Sequence, residues 1–234
     1  MNSGVVVVAG AGPGLGRALA QRFIQAGMRA ALLARNAARL SELAASLGAQ
    51  AWPHACDLTD QNAVAAAFDR LERELGPAQC VIFNAGTYRP GAVVDVAPGD
   101  FLECWKVGCY AGFLVGQQAA RRMAARGSGT ILFTGATASL RGSARFANLA
   151  SPKFALRALA QSMARELGPR GVHVAHVIID GQIRSLARAP ADPAATPDSQ
   201  LAPEAIAESY WQLHFQQRSA WTLELDLRPW VEKF

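Results

Sequence analysis

Four cysteines in 234 residues, none at CxxC spacing and none within a histidine cluster, leave nothing from which to build a zinc site or a disulfide framework. The thiols are expected to be reduced and mostly buried, as suits a cytoplasmic protein. Long apolar runs are missing too. The start, MNSGVVVVAGAG, has neither a basic n-region nor an extended hydrophobic stretch, so neither a signal peptide nor a membrane span is expected. Basic clusters are equally scarce. Net charge is +5, yet no Lys/Arg run exceeds Arg121-Arg122, so the excess reads as solvated surface and nucleic acid is not expected as a partner. Internal repeats are absent. Tyrosine occurs only as Tyr88, Tyr110 and Tyr210, and no asparagine falls between Asn84 and Asn148.

What is present is a core-forming chain, 51% hydrophobic, of a length suited to one domain spanning 1–234. Short apolar runs alternate with helical patterns. VVVVAG (5–10), AALLA (30–34), QCVIFNAG (79–86), TILFTG (130–135) and VHVAHVII (172–179) read as buried strands, with a shorter one in AQAWPHA and a last one in TLELDL. Helices are expected between successive strands, among them one opened by Asn36 and closed by Gly48, a long one over 99–126, and EAIAESYWQLHF before the last strand. Repeated β–α alternation with strands apolar on both faces predicts an α/β fold: a Rossmann-like, doubly wound parallel sheet with helices on both faces. Beyond Gly181 the composition changes. RSLARAPADPAATPDSQLAP, rich in Ala and Pro, reads as a mobile loop, and 184–217 as a substrate loop and helix region.

AGAGPGLG (9–16) lies directly between the first strand and the first helix. Gly10, Gly12, Gly14 and Gly16 allow a tight turn and close approach of a pyrophosphate, with Leu15 opening the helix whose N–H groups face that ligand. At the end of the second strand, a fold that prefers NAD offers an acid to the ribose hydroxyls. This chain offers Arg35-Asn36 and no acid until Glu42. An arginine there can hold the 2′-phosphate of NADP as a bidentate pair, so NADP(H) is expected ahead of NAD(H).

Together, Gly10-x3-Gly14-x-Gly16, Asp57 in CDLTD, Asn84-Ala85-Gly86, Lys153 and DGQIRS at 180–185 resemble a short-chain dehydrogenase/reductase over nearly the whole chain. The resemblance implies that Asp57 and Leu58 lie beside the adenine and that Asn84, Ala85 and Gly86 flank the cofactor. It places Gly181, Ile183 and Ser185 on the nicotinamide side, and Lys153 on the nicotinamide ribose. It further implies an oxidoreductase acting on a small molecule and a homodimer or homotetramer. Ala9 stands where the family usually has Thr, and Asp180 where it usually has Pro.

The reacting end departs from the family. Its Tyr-x3-Lys pair would place the tyrosine at Leu149, its serine at Ala136, and its asparagine at Gly108 or Cys109. The wider Tyr-x6-Lys spacing of related enoyl reductases falls on Phe146. In the family the lysine lowers the tyrosine's pKa and the phenol exchanges a proton with the substrate. Lys153 is therefore the one member of the catalytic set that remains. Ser151 and Pro152 suggest that its helix begins just before it. Tyr88, Thr137 and Ser139 are candidate replacement proton donors, each with an ordinary polar loop role as the alternative. His173 and His176 are expected to be packed within a strand. The sparse polar content of the 184–203 loop suggests a partly apolar substrate. Two functional expectations follow: an NADP(H)-dependent oxidoreductase with an atypical active site, or a catalytically silent nucleotide-binding homologue.

Overall fold

The computed structural model describes residues 4–184 and 198–231. Seven strands form one parallel sheet: β1 (Val5–Ala9), β2 (Arg29–Ala34), β3 (Ala51–Ala55), β4 (Ala78–Phe83), β5 (Gly129–Thr134), β6 (Val172–Ile179) and β7 (Glu224–Leu227), in the order 3-2-1-4-5-6-7. The order reverses between β1 and β4, which opens a crevice at their carboxyl ends. Among the described residues, seven α-helices connect the strands: α1 (Leu15–Gln25), α2 (Ala37–Leu47), α3 (Gln61–Leu75), α4 (Pro98–Trp105), α5 (Ala111–Arg126), α6 (Ala147–Leu167) and α7 (Pro203–His214).

Strand alternation sorts the core into two layers. Val5, Val7 and Ala9 of β1 face one layer, which includes Phe68 of α3, Leu114 and Val115 of α5 and Leu156 of α6. Val6 and Val8 face the other, with Leu19 and Phe23 of α1, Leu40 of α2 and Tyr210 of α7. Burying side chains such as Phe23 and Phe68 contributes roughly 1.5–3 kcal/mol each. Tyr210 is fully buried and shares a 2.8 Å hydrogen bond with the Thr134 hydroxyl at the end of β5. The edge position of β3 accommodates Pro53, which cannot donate to a ladder. Asn36 caps α2 by accepting from the Arg39 N–H at 3.0 Å, and Asp60 caps α3.

Two expectations need correction. The long helix is interrupted by a π-helical turn over Lys106–Tyr110, an inserted residue that a regular 3.6-residue pattern does not register. The helix carrying Lys153 starts at Ala147, so Pro152 lies inside it, where the proline ring removes the bond to the residue-148 carbonyl, and Ser151 is not the cap. The expected loop of 184–203 falls largely outside the described residues, as does Ser185.

Candidate active site and cofactor cleft

The glycine loop follows from close packing at two of its positions. Gly10 has φ +95, and a Cβ there would strike the Ala85 backbone; Gly16 sits against the backbone of Ala11. Gly12 and Gly14 are different: a Cβ at either would meet nothing within 4 Å. Their open side faces the start of α1, whose N-terminal amides carry no side-chain cap and no acid in the first turn. Such an end favours an anionic ligand. Asn84 ties the loop to β4, its N–H donating to Ala9 O at 2.7 Å and its side-chain amide to Gly10 O at 3.2 Å.

Above the crevice lies a cleft of about 200 Å³ that brings together Gly10, Arg35, Asp57, Leu58, Asn84, Ala85 and Gly86. Thr59, Val107 and Ala111 also line it; the sequence reading had not singled them out. The Asp57 carboxylate accepts from the Thr59 N–H and hydroxyl at 2.9 and 2.8 Å. These bonds, chiefly the backbone one, hold its pKa below the usual carboxylate value, with Arg35 adding to the effect. An adjoining cavity of about 670 Å³ runs from Gly12 past Arg35 and Asn36. Arg17 and Arg39 line it too, and none of the three arginines is held in a salt bridge among the described residues. Arg17 and Arg39 were not singled out from the sequence, although Arg39 lies in the first turn of α2, four residues past Arg35.

At the inner end, Lys153 is 6% exposed, and its ammonium donates to Thr134 O at 2.6 Å. Its Nζ lies 3.8 Å from where a Cβ on Gly86 would sit, beside the cleft. Burial pushes its pKa down to about 8, with Cys109 acting in the opposite direction. The two alternatives for the asparagine position have different surroundings. Gly108 packs against Pro152, and Cys109 lies within electrostatic reach of Lys153.

Leu149 and Ala136 are both half-buried near this end, and neither can donate a proton. Ser139 is fully buried; its hydroxyl accepts from the Ala136 N–H at 3.2 Å and lies 3.0 Å from His176 Nε2. Burial, with the field of Lys153 next in size, lowers the His176 pKa to about 4, so the ring is neutral near pH 7. Thr137 donates to Asp180 at 2.5 Å. Both hydroxyls are thus committed within the protein. Tyr88 differs from them. It is 41% exposed and stacks on Phe146, the residue preceding α6, at 4.9 Å between centroids. Gly181 has φ +145, and Ile183 forms a bridge with Leu201. His173 is buried between two backbone carbonyls, Leu213 O at 3.1 Å and Thr222 O at 2.8 Å. Among the described residues, no group of three or more His, Cys, Asp or Glu is placed to hold a metal ion, and no helix is long and apolar enough to cross a membrane.

The family model for short chain dehydrogenases matches residues 4–192. The chain belongs to that family. A short-chain dehydrogenase from Rhodopseudomonas palustris shares its fold with a TM-score of 0.83 and 38% identity, over 97% of this chain and 99% of that one. The 3-oxoacyl-[acyl-carrier-protein] reductase MabA of Mycobacterium avium is 32% identical over 178 residues, which are 76% of this chain and 66% of MabA. The chain thus spans about two thirds of that relative's length. A protein named inactive 2-(S)-hydroxypropyl-CoM dehydrogenase 2, from Xanthobacter autotrophicus, is 32% identical over 167 residues, 71% of this chain and 72% of its own length. The present chain combines the glycine loop, Asn84 and Lys153 with Leu149 four residues before the lysine and Ala136 two residues after β5.

Proposed function

We propose that this short chain dehydrogenase binds NADP(H) in preference to NAD(H), and that it is an oxidoreductase whose reacting end lacks the usual proton donor. The observation that carries the cofactor choice is the cluster of Arg17, Arg35 and Arg39 around the cavity beside the glycine loop, without salt bridges among the described residues. Guanidinium forks match phosphate geometry, and an acid at the end of β2 would repel the 2′-phosphate that these arginines attract. The amides at the start of α1 would take the pyrophosphate. Lys153 has three donors, and Thr134 O is its one hydrogen-bond acceptor among the described residues, which leaves donors for the ribose hydroxyls.

When bound, a reduced nicotinamide supplies hydride. The chain must then position a substrate and manage one proton. Leu149 presents an apolar wall and excludes water from that point. Tyr88, 41% exposed and stacked on Phe146 ahead of α6, is the candidate donor that remains, since the Thr137 and Ser139 hydroxyls are engaged elsewhere. Without a positioned acid, a substrate that needs little protonation, such as an activated C=C, is favoured over a simple ketone. Exposed Val93 and Val94 on the loop beyond Gly86 support a partly apolar substrate. Exposed Phe101, Leu102, Phe113 and Phe154 on α4, α5 and α6 support a homo-oligomer, and four buried free cysteines support a cytoplasmic setting.

A second reading, a catalytically silent nucleotide-binding homologue, is favoured by Leu149 and Ala136 themselves. Single-turnover mixing of the NADPH-loaded protein with a panel of enones and carbonyl compounds separates the two. Oxidation of bound NADPH supports the enzyme; tight NADPH binding with no turnover of any compound leaves the silent reading, and absent NADPH binding rejects both.

A further inference from the structure

The sheet has a second opening, at the end away from the cofactor cleft. Where β5 and β6 begin, a cavity of about 280 Å³ is lined by Arg126, Ser128, His173, His214, Gln216 and Arg218, with Gly171 and Trp221 among the remaining walls. None of its described lining residues is acidic, and neither arginine is held in a salt bridge among the described residues. Each arginine is anchored through one nitrogen only. Arg126 Nη2 donates to Ala78 O at 2.6 Å, and Arg218 Nη2 to Gly127 O at 3.1 Å. Arg218 Nη1 lies 3.4 Å from where a Cβ on Gly171 would sit, so the bare glycine leaves it room. The side chains around them are braced as well. Gln216 bonds the N–H and hydroxyl of Thr222, and the Trp221 indole donates to Gln216 O.

We propose that this cavity is a second ligand site, separate from the cofactor cleft, that takes a phosphate group either free or on a small organic ester. Two guanidinium groups with spare donors and no neighbouring carboxylate are a fork-shaped match for a tetrahedral dianion. Burial pushes the His214 pKa down to about 4, so that ring is neutral, with Nδ1 on the Thr130 hydroxyl at 2.9 Å; both His173 nitrogens lie against backbone carbonyls, and the positive charge comes from the arginines. The volume is below the roughly 300–1,000 Å³ of drug-sized ligand pockets, which restricts the organic part to a few atoms. The six residues of β5 separate the two sites by about 17 Å, so both can be filled at once.

The test is calorimetric titration of the full chain carrying Arg35→Asp, which weakens phosphate binding at the cofactor end. Inorganic phosphate and glycerol 3-phosphate are compared at constant ionic strength. Saturable binding that weakens tenfold or more when Arg218→Gln is added supports the proposal. Tighter binding of the ester identifies an ester ligand, and equal binding identifies the phosphate group alone. Ser128→Glu, which puts an acid at the cavity without removing an anchor, must weaken binding as well, and it serves where Arg218→Gln does not fold. No saturable binding in the Arg35→Asp protein, or binding unchanged in either folded variant, overturns the proposal.

Discussion

The two halves of the carboxyl rim of the sheet have had different fates. Over β1, β2 and β4 lie the groups to which the proposed function assigns the nucleotide: the open faces of Gly12 and Gly14, the arginines lining the cavity beside them, and Asn84 bridging two strands. Between β5 and α6, the polar set has been reduced to one lysine, with Leu149 and Ala136 where a phenol and a hydroxyl are expected. The fold around both halves is equally regular. On the proposed reading, holding a nucleotide and moving a proton are carried by different elements of this architecture, so each can be changed by substitution without the other.

The strongest way to break the contrast is to refill the depleted half. Leu149→Tyr with Ala136→Ser is expected to raise reduction of a reactive carbonyl compound by up to about 10²–10⁴-fold, the usual contribution of a positioned general acid. Both changes are needed because the two groups act as a unit. A folded, NADPH-binding double variant with no gain would mean that the cleft is misshapen and not simply short of its acid. Next in size is Lys153→Met, which keeps length and removes charge. Loss of charge-assisted bonds contributing roughly 1.5–3 kcal/mol predicts NADPH affinity lower by about 10–100-fold in a fluorescence titration. Unchanged affinity would detach Lys153 from the binding half.

Arg35→Asp sharpens the comparison from the other side. It should narrow or reverse the preference for NADPH over NADH, by about tenfold or more, while leaving Lys153 untouched. Equal affinities in the unmodified protein would remove the arginine's assigned role. The mildest effect is on pH. The folded pKa of Lys153, about 8, is below its unfolded value of 10.5, so the cost of burying the ammonium is fully present below pH 8 and is relieved as pH rises from 8 towards 10.5. Cofactor binding uses the charged form and runs the opposite way. NADPH affinity should fall by up to about tenfold per pH unit above pH 8 in the parent, and not through this group in Lys153→Met.

The cleft beside the glycine loop gathers residues that sequence alone singled out, because their positions are locally determined. A glycine loop between a strand and a helix, and the residue ending the next strand, are fixed by a few neighbouring positions. Arg17 and Arg39 were not legible. Each lies on a helix surface, and only the folded approach of α1 to α2 turns two solvated cations into the walls of one cavity. The depleted half was readable as a set of absences, yet its geometry was not. Both alternatives for the asparagine position, Gly108 and Cys109, lie in the π turn at Lys106–Tyr110, which a regular helical period does not register. The start of α6 was likewise misplaced, because Pro152 resembles a first-turn proline when only its chain neighbours are considered.

Thr134 has a mechanical consequence. Its hydroxyl bonds Tyr210 of α7, and its carbonyl receives the Lys153 ammonium from α6, a helix on the opposite side of the sheet. The last residue of β5 is in effect a rivet through the sheet, joining α7 on one face to α6 on the other. Tyr210→Phe removes one partner, leaves the Thr134 hydroxyl buried without it at a cost of about 1–3 kcal/mol, and loosens the carbonyl on which Lys153 is seated. A change in α7, a helix that does not touch the ammonium, should thus move the pH at which cofactor affinity declines.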